Sequence, residues 1–223
     1  MEVLWFLKQR TNFIRRYYET AAEPFREIIC KIEAEEAPFE PPYSEAEEPA
    51  FMEEWADATR SLEILGAMCV SMLSEALKLY FRTWERELRL ECQRAFPKEF
   101  KDGFVNGYKA GFGDILRTDW SECPANFDVI EQIVLARNDA QHHDEISELG
   151  LRHNQKVYRK YHLPFFLNDN EKKMIELGEY KDFKWLRLSL VVSQESLFEA
   201  IRQVEMLAEW MEEPLFGVKY GRR

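Results

Sequence analysis

The stretch that decides the fold is LEILGAMCVSMLSEALKLYF, residues 62–81. Its apolar residues recur at three- and four-residue steps, which is the spacing of one face of an α-helix. The members of this stripe are Leu62, Leu65, Cys69, Met72, Leu73, Ala76, Leu77 and Tyr80, with Trp84 beyond them. The pattern predicts a long core helix within residues 51–96.

Two later segments repeat the helical spacing. Asn126 can cap a helix whose apolar stripe begins at Phe127 and runs through Ile130, Ile133 and Val134. Ser193 begins a final helix, and we expect that helix to stop at Pro214 because proline lacks the backbone N–H that a helix needs. Residues 185–192 allow a short strand or hairpin before it. The chain is therefore expected to be mainly α, an antiparallel helical bundle.

The charge is concentrated in one segment. The formal net charge is −11, and residues 32–57 contain ten carboxylates and no Lys or Arg. Four prolines within this region favour an extended linker over a helix. We therefore predict an N-terminal helical arm (1–31), an acidic proline-rich linker (32–50), a helical domain (51–216) and a basic tail (217–223). A solvated loop is the favoured interpretation of the linker, with an RNA-mimicking or autoinhibitory segment as the alternative.

Several classes of protein are disfavoured by what the sequence contains. The four cysteines are widely separated and form no Cys-x-x-Cys pair, so neither a disulfide framework nor a zinc site is expected. The glycines between Gly103 and Gly113 lack the Gly-Lys-Ser/Thr ending of a phosphate-binding loop, which favours close backbone packing or a loop. The apolar runs favour neither a signal peptide nor a membrane span. We expect a cytoplasmic protein with no membrane partner and no cofactor.

The helix that begins near Phe127 carries the candidate site. Continuing its apolar stripe by three- and four-residue steps leads to Arg137 and then Gln141, so a face that starts apolar becomes polar. A guanidinium on such a face needs a carboxylate partner, or the face lines a cleft or a subunit contact. Asn138 and His142 are four residues apart and share a neighbouring face.

The hexapeptide Arg137-Asn138-Asp139-Ala140-Gln141-His142 resembles the Arg-x4-His motif of HEPN domains (higher eukaryotes and prokaryotes nucleotide-binding). The resemblance covers roughly residues 60–212, from the long helix to the final one. It implies a HEPN-like bundle that commonly forms a homodimer with two motif helices at the interface. Many relatives are endoribonucleases that need no metal ion, several of them toxins or defence effectors held by an antitoxin or another regulatory protein.

The resemblance implies that Arg137, Asn138 and His142 are catalytic. An imidazole can move protons to or from a 2′-hydroxyl or a leaving oxygen, and an arginine stabilises charge on phosphoryl oxygens. Attack by the 2′-hydroxyl of single-stranded RNA would leave a 2′,3′-cyclic phosphate. Arg137 and His142 project about 140° apart on an ideal helix, so a dimer-related helix or a distortion would have to bring them together.

Residues 151–188 carry nine basic and five acidic side chains. Aromatic residues lie between the cations, a combination that binds RNA through phosphate contacts and base stacking. The candidate RNA-binding residues are Arg152, Lys156, Arg159 and Lys160. Ordinary core aromatics beside a solvated basic face are the favoured interpretation of this segment, with RNA binding as the alternative.

Three other functions stay open. A non-catalytic HEPN-like interaction or dimerisation module would use Arg137 and His142 to lock an interface. A metal site could involve His143, Asp144, Glu145 and His153, but these show no established ligand spacing, and no metal is expected. A helical cleft could also hold a nucleotide or another small ligand.

Overall fold

A computed structural model describes residues 2–43, 49–141, 150–178 and 187–221. Within these ranges the chain is mainly α, which confirms the predicted fold class. The helices are α1 (Val3–Glu33), α2 (Met52–Glu87), α3 (Cys92–Ala95), α4 (Pro97–Lys101), α5 (Phe104–Leu116), α6 (Phe127–Gln141), α7 (Gln155–Lys160), α8 (Asp169–Glu176) and α9 (Gln194–Tyr220), with one 3-10 turn at Trp120–Glu122.

The long helix predicted from residues 62–81 is α2, and it forms the centre of the bundle. Leu73, Leu77 and Trp84 are fully buried in it, and the cluster around them includes residues of α1, α5, α6 and α9. The helix ends at Glu87, before the predicted limit at residue 96. Just beyond its end, Arg89 adopts a left-handed backbone conformation with φ of 56°. By composition α2 could also cross a membrane, but 61% of its most apolar stretch is buried, as expected of a core helix.

The helix α1 runs antiparallel to α9. Lys8 pairs with Glu209, and Arg26 near the other end donates to Gln194 at 2.7 Å. The buried residues of α1, including Leu7 and Ile14, belong to the same apolar cluster as those of α2. The segment predicted as an N-terminal arm therefore packs as one of the main helices.

The helix α9 does not stop at Pro214, so that prediction was wrong. It continues to Tyr220 with Pro214 inside it. Packing stabilises the helical conformation of the residues after the proline. Leu215 is fully buried, and the Phe216 ring packs edge-on against Trp84 with 5.5 Å between the ring centres. Burial of apolar surface offsets the hydrogen bond that proline cannot make.

The short strand allowed before the last helix is reduced, among the described residues, to one antiparallel bridge between Arg152 and Ser189. Two backbone bonds between described residues flank it, from the N–H of His153 to the carbonyl of Leu188 at 3.0 Å and from the N–H of Leu190 to the carbonyl of Leu151 at 2.9 Å. This bridge joins the segment after α6 to the segment that leads into α9.

The glycines of α5 serve close packing, as predicted. A Cβ on Gly107 would lie 2.2 Å from the Phe100 ring, and one on Gly111 would lie 2.6 Å from the sulfur of Cys92. Small residues therefore allow α5 to approach α3 and α4.

The described part of the acidic segment is mostly exposed. It is held at its ends, where Phe39 packs edge-on against Phe51 at 5.3 Å and the indole of Trp55 donates to Glu33 at 3.1 Å. Residues 44–48 lie outside the described ranges.

Candidate functional site

The helix α6 positions the candidate motif. The side chain of Asn126 accepts the N–H of Asp128 at 2.9 Å, which confirms the predicted cap. Ile130 and Ile133 are fully buried, and they fix the rotation of the helix against the core. This rotation decides which motif residues reach the surface at the far end.

Arg137 and Asn138 lie together in the last turns of α6. Both are half-buried, and Nη1 of Arg137 donates to Oδ1 of Asn138 at 3.1 Å. A guanidinium has five N–H groups, and Arg137 makes no other side-chain hydrogen bond or ion pair with the residues that the structure describes. Gln141, one turn further along the same face, is exposed. The polar face that was predicted to continue the apolar stripe therefore becomes more exposed to solvent toward the end of the helix.

His142 is the first of the residues 142–149 that lie outside the described ranges, so the structure brings together two of the three predicted catalytic residues. His143, Asp144 and Glu145 of the alternative metal site lie in the same undescribed stretch. Within the described ranges no three His, Cys, Asp or Glu side chains are grouped as a metal would require.

Asp139, also within the motif, is bound to the segment that follows it. Its Oδ2 accepts the N–H of Asn154 at 3.0 Å and lies 3.5 Å from Nδ1 of His153. The other ring nitrogen of His153 lies 2.7 Å from the carbonyl oxygen of Phe166. Because a carbonyl can only accept, Nε2 carries the hydrogen. His153, one of the alternative metal ligands, is thus a buried link between α6 and the residues up to Phe166.

A second polar group joins α2 to the bridge segment. Arg152 donates to the carbonyl of Arg187 at 3.0 Å and to the hydroxyl of Ser189 at 3.1 Å. Burial raises the pKa of the Glu63 carboxyl, and the positive charges of Arg152 and Arg60 oppose that rise. Arg152 is exposed, but its geometry is fixed by the backbone of the neighbouring segment.

The other candidate RNA-binding residues differ in how free their charges are. Both oxygens of Glu131 lie 2.5 Å from Nζ of Lys160, and the hydroxyl of Tyr161 donates to the same carboxylate at 2.8 Å. Arg159 is exposed and makes no ion pair with any residue in the described ranges. The side chain of Lys156 lies outside the described part of the chain. Arg159 therefore offers the less compensated positive charge.

A cavity of about 640 Å³ lies at the opposite end of α6 from Arg137. Its lining includes Asp128, Asp169, Glu195 and Glu199, with Lys172 as its basic side chain. Four carboxylates repel an anionic ligand, so this cavity does not favour phosphate binding. It is distinct from the motif because Asn126 and Arg137 are separated by about 16 Å of helix at 1.5 Å per residue.

Sequence reasoning found Arg137 and Asn138 through the motif but missed the partners that organise their surroundings. Glu63, Glu131 and the pairing of Asp139 with His153 carry no local pattern, because each contact joins residues distant in the chain. The sequence offered a single indication of these contacts, which is that Asp139 lies inside the motif. Comparisons with protein-family models, with curated proteins and with solved structures each found no match.

Proposed function

We propose that the chain is a metal-independent endoribonuclease of the HEPN type, of the toxin or defence kind, with Arg137, Asn138 and His142 as its catalytic residues. The observation that supports it most is the placement of Arg137, which is half-buried at the end of an otherwise apolar helix face and bonded to Asn138. A guanidinium held in this way is pre-oriented and still has donors for phosphoryl oxygens.

In this mechanism His142 moves the proton between the 2′-hydroxyl or leaving oxygen and solvent, while Arg137 stabilises the charge that develops on the phosphoryl group. Asn138 orients the guanidinium through the 3.1 Å contact. The products are a 2′,3′-cyclic phosphate and a free 5′-hydroxyl. A homodimer that pairs two α6 helices would supply the second face that one helix lacks, and an antitoxin or another regulatory protein would restrain the activity.

The test is incubation of the full chain with single-stranded RNA in EDTA. Cleavage that leaves 2′,3′-cyclic ends is expected from the wild type. Removing a proton-transfer residue or a charge donor costs about 10² to 10⁴ in rate, so His142→Ala and Arg137→Ala should fall below detection. His143→Ala is the matched control and should keep most activity. Inert wild type, or cleavage that survives His142→Ala, refutes the proposal.

A second candidate is a non-catalytic interaction module, and one feature favours it. Asp139 accepts the N–H of Asn154, and Nε2 of His153 lies 2.7 Å from the Phe166 carbonyl oxygen. Glu131 neutralises Lys160, so these groups resemble a polar cluster that serves packing. In that case Arg137→Ala changes association or stability while RNA stays intact in every preparation.

A further inference from the structure

An apolar face on α1 and α2 lies exposed. On α1 it consists of Phe6, Phe13 and Tyr17, of which Phe6 is 53% and Phe13 51% exposed. On α2 it includes Met68, which is 52% exposed, and the partly buried Met72. Isolated exposed apolar residues are ordinary, but a contiguous patch of aromatic and methionine side chains marks a contact surface. We call these five residues the α1–α2 face.

The face contains both a ridge and a groove. Phe13 stacks on Tyr17 at 6.0 Å between ring centres, which forms a firm aromatic ridge along α1. Beside it two adjoining cavities of about 510 and 270 Å³ run between α1 and α2, and both are lined by Phe6, Arg10 and Ala76. A surface that carries a ridge next to a groove can pack against a copy of itself, because each ridge then enters the other groove.

The two helices match in length across this face. They run antiparallel, since one cavity places Phe6 near Leu79 and the other places Phe13 near Met72. The stretches from Phe6 to Tyr17 and from Met68 to Leu79 each span about 16 Å at 1.5 Å per residue. The midpoint of both stretches lies near Arg10.

The charged residues beside the groove indicate what kind of partner binds there. Arg10 and Glu75 are both exposed and both line the larger cavity, but no ion pair joins either of them to another residue in the described ranges. A face with one unpaired cation on α1 and one unpaired anion on α2 is electrostatically complementary to its own copy. A two-fold axis near the midpoint places Arg10 against Glu75 of the partner subunit, and the same contact occurs twice.

We propose that the α1–α2 face is a self-association surface, which binds the same face of a second copy of this chain about a two-fold axis. No residue of α6 lines either cavity. The association is therefore separate from any pairing of the motif helices, and it does not depend on whether the motif cleaves RNA. If both contacts form about two-fold axes that are perpendicular and intersect, the protein is a tetramer.

The experiment is a charge-swap series measured by sedimentation or light scattering at tens of micromolar. Arg10→Glu and Glu75→Arg each bring like charges together twice, so each should weaken association at this face by about tenfold or more. Mixing the two single variants should restore it, because one copy then carries two anions and the other two cations. The double variant should also associate as the wild type does.

Phe13→Asp should abolish the contact, and Leu177→Asp is the matched control because Leu177 is an exposed apolar residue, 72% exposed, outside the face. Circular dichroism checks that each variant folds. A wild type that stays monomeric overturns the proposal, as do single swaps that leave the mass unchanged or a mixture that fails to associate. A monomer that binds vesicles of anionic lipid through Phe13 also overturns it and assigns the face to a membrane surface.

Discussion

The Asp139 carboxylate and the His153 imidazole lie 3.5 Å apart, and their side chains are only 9% and 2% exposed. Nδ1 of His153 has no hydrogen-bond partner among the described residues, so its contact with Asp139 is an ion pair only when both ring nitrogens carry a hydrogen. The pair ties the last turns of α6 to the segment that carries Arg159 and Lys160. It is therefore one structural link between the candidate catalytic residues and the candidate RNA-binding ones, beside the contact of Glu131 with Lys160.

The first prediction is that Asp139 and His153 are energetically coupled. Asp139→Ala and His153→Ala should each lower the free energy of unfolding by about 1–3 kcal/mol. The first removes the acceptor of the Asn154 N–H, and the second removes the donor to the Phe166 carbonyl. The double variant should cost less than the sum of the two, with a coupling of about 0.5–3 kcal/mol. Urea denaturation of the four proteins measures it. Strict additivity would show that the 3.5 Å contact contributes nothing.

The second prediction concerns Gly66, where α2 approaches the segment before α9. A Cβ at this position would lie 2.3 Å from the carbonyl oxygen of Val192 and 2.9 Å from its Cβ. Backbone cannot move aside as a flexible side chain can, so Gly66→Ala should destabilise the protein by about 1–3 kcal/mol.

Gly217 in α9 is the control for that substitution. A Cβ there would meet no atom of the described residues within 4 Å. Gly217→Ala should therefore raise stability by up to about 1 kcal/mol, the difference in helix propensity. Melting temperatures that rise for both variants would contradict the close approach at Val192.

The third prediction is a pH dependence from Glu212. Burial raises the pKa of its carboxyl, and its Oε2 has no hydrogen-bond partner in the described ranges. A raised pKa means that the folded state holds the proton more tightly than the unfolded state. The stability from this group is therefore present at low pH and lost as the pH rises through the raised pKa.

Glu212→Gln removes that loss. Its urea midpoint should exceed that of the wild type at pH 7.5, and the difference should shrink toward pH 4. Glu213→Gln, at an exposed neighbouring position, is the control and should leave the pH profile unchanged. A variant less stable than the wild type at pH 7.5 would show that the charged carboxylate is needed in place.

The sequence predicted the elements whose signal is local. The apolar spacing of residues 62–81 predicted α2, and Asn126 predicted the start of α6 because capping involves neighbours in the chain. The pattern erred at Pro214, where burial of Leu215 outweighs a missing hydrogen bond. Lys160 and Glu131 are 29 residues apart, and their contact depends on how the helices pack. A contact of this kind produces no periodic pattern in the sequence.

The last prediction rests on the proposed function and separates the two neighbouring cations Arg159 and Lys160. Arg159 is exposed without an ion pair in the described part of the chain, whereas Nζ of Lys160 lies 2.5 Å from the carboxylate of Glu131. Each phosphate contact on a single strand contributes about 0.7 to the slope of log affinity against log salt. With His142→Ala protein and single-stranded RNA, adding Arg159→Ala should therefore lower the slope by about 0.7, and adding Lys160→Ala should change it little. Glu131→Gln should release Lys160 and increase both the affinity for RNA and the salt slope.

Equal losses of RNA affinity in Arg159→Ala and Lys160→Ala would show that RNA displaces Glu131. No loss for either would place the RNA surface elsewhere, even if the protein cleaves RNA.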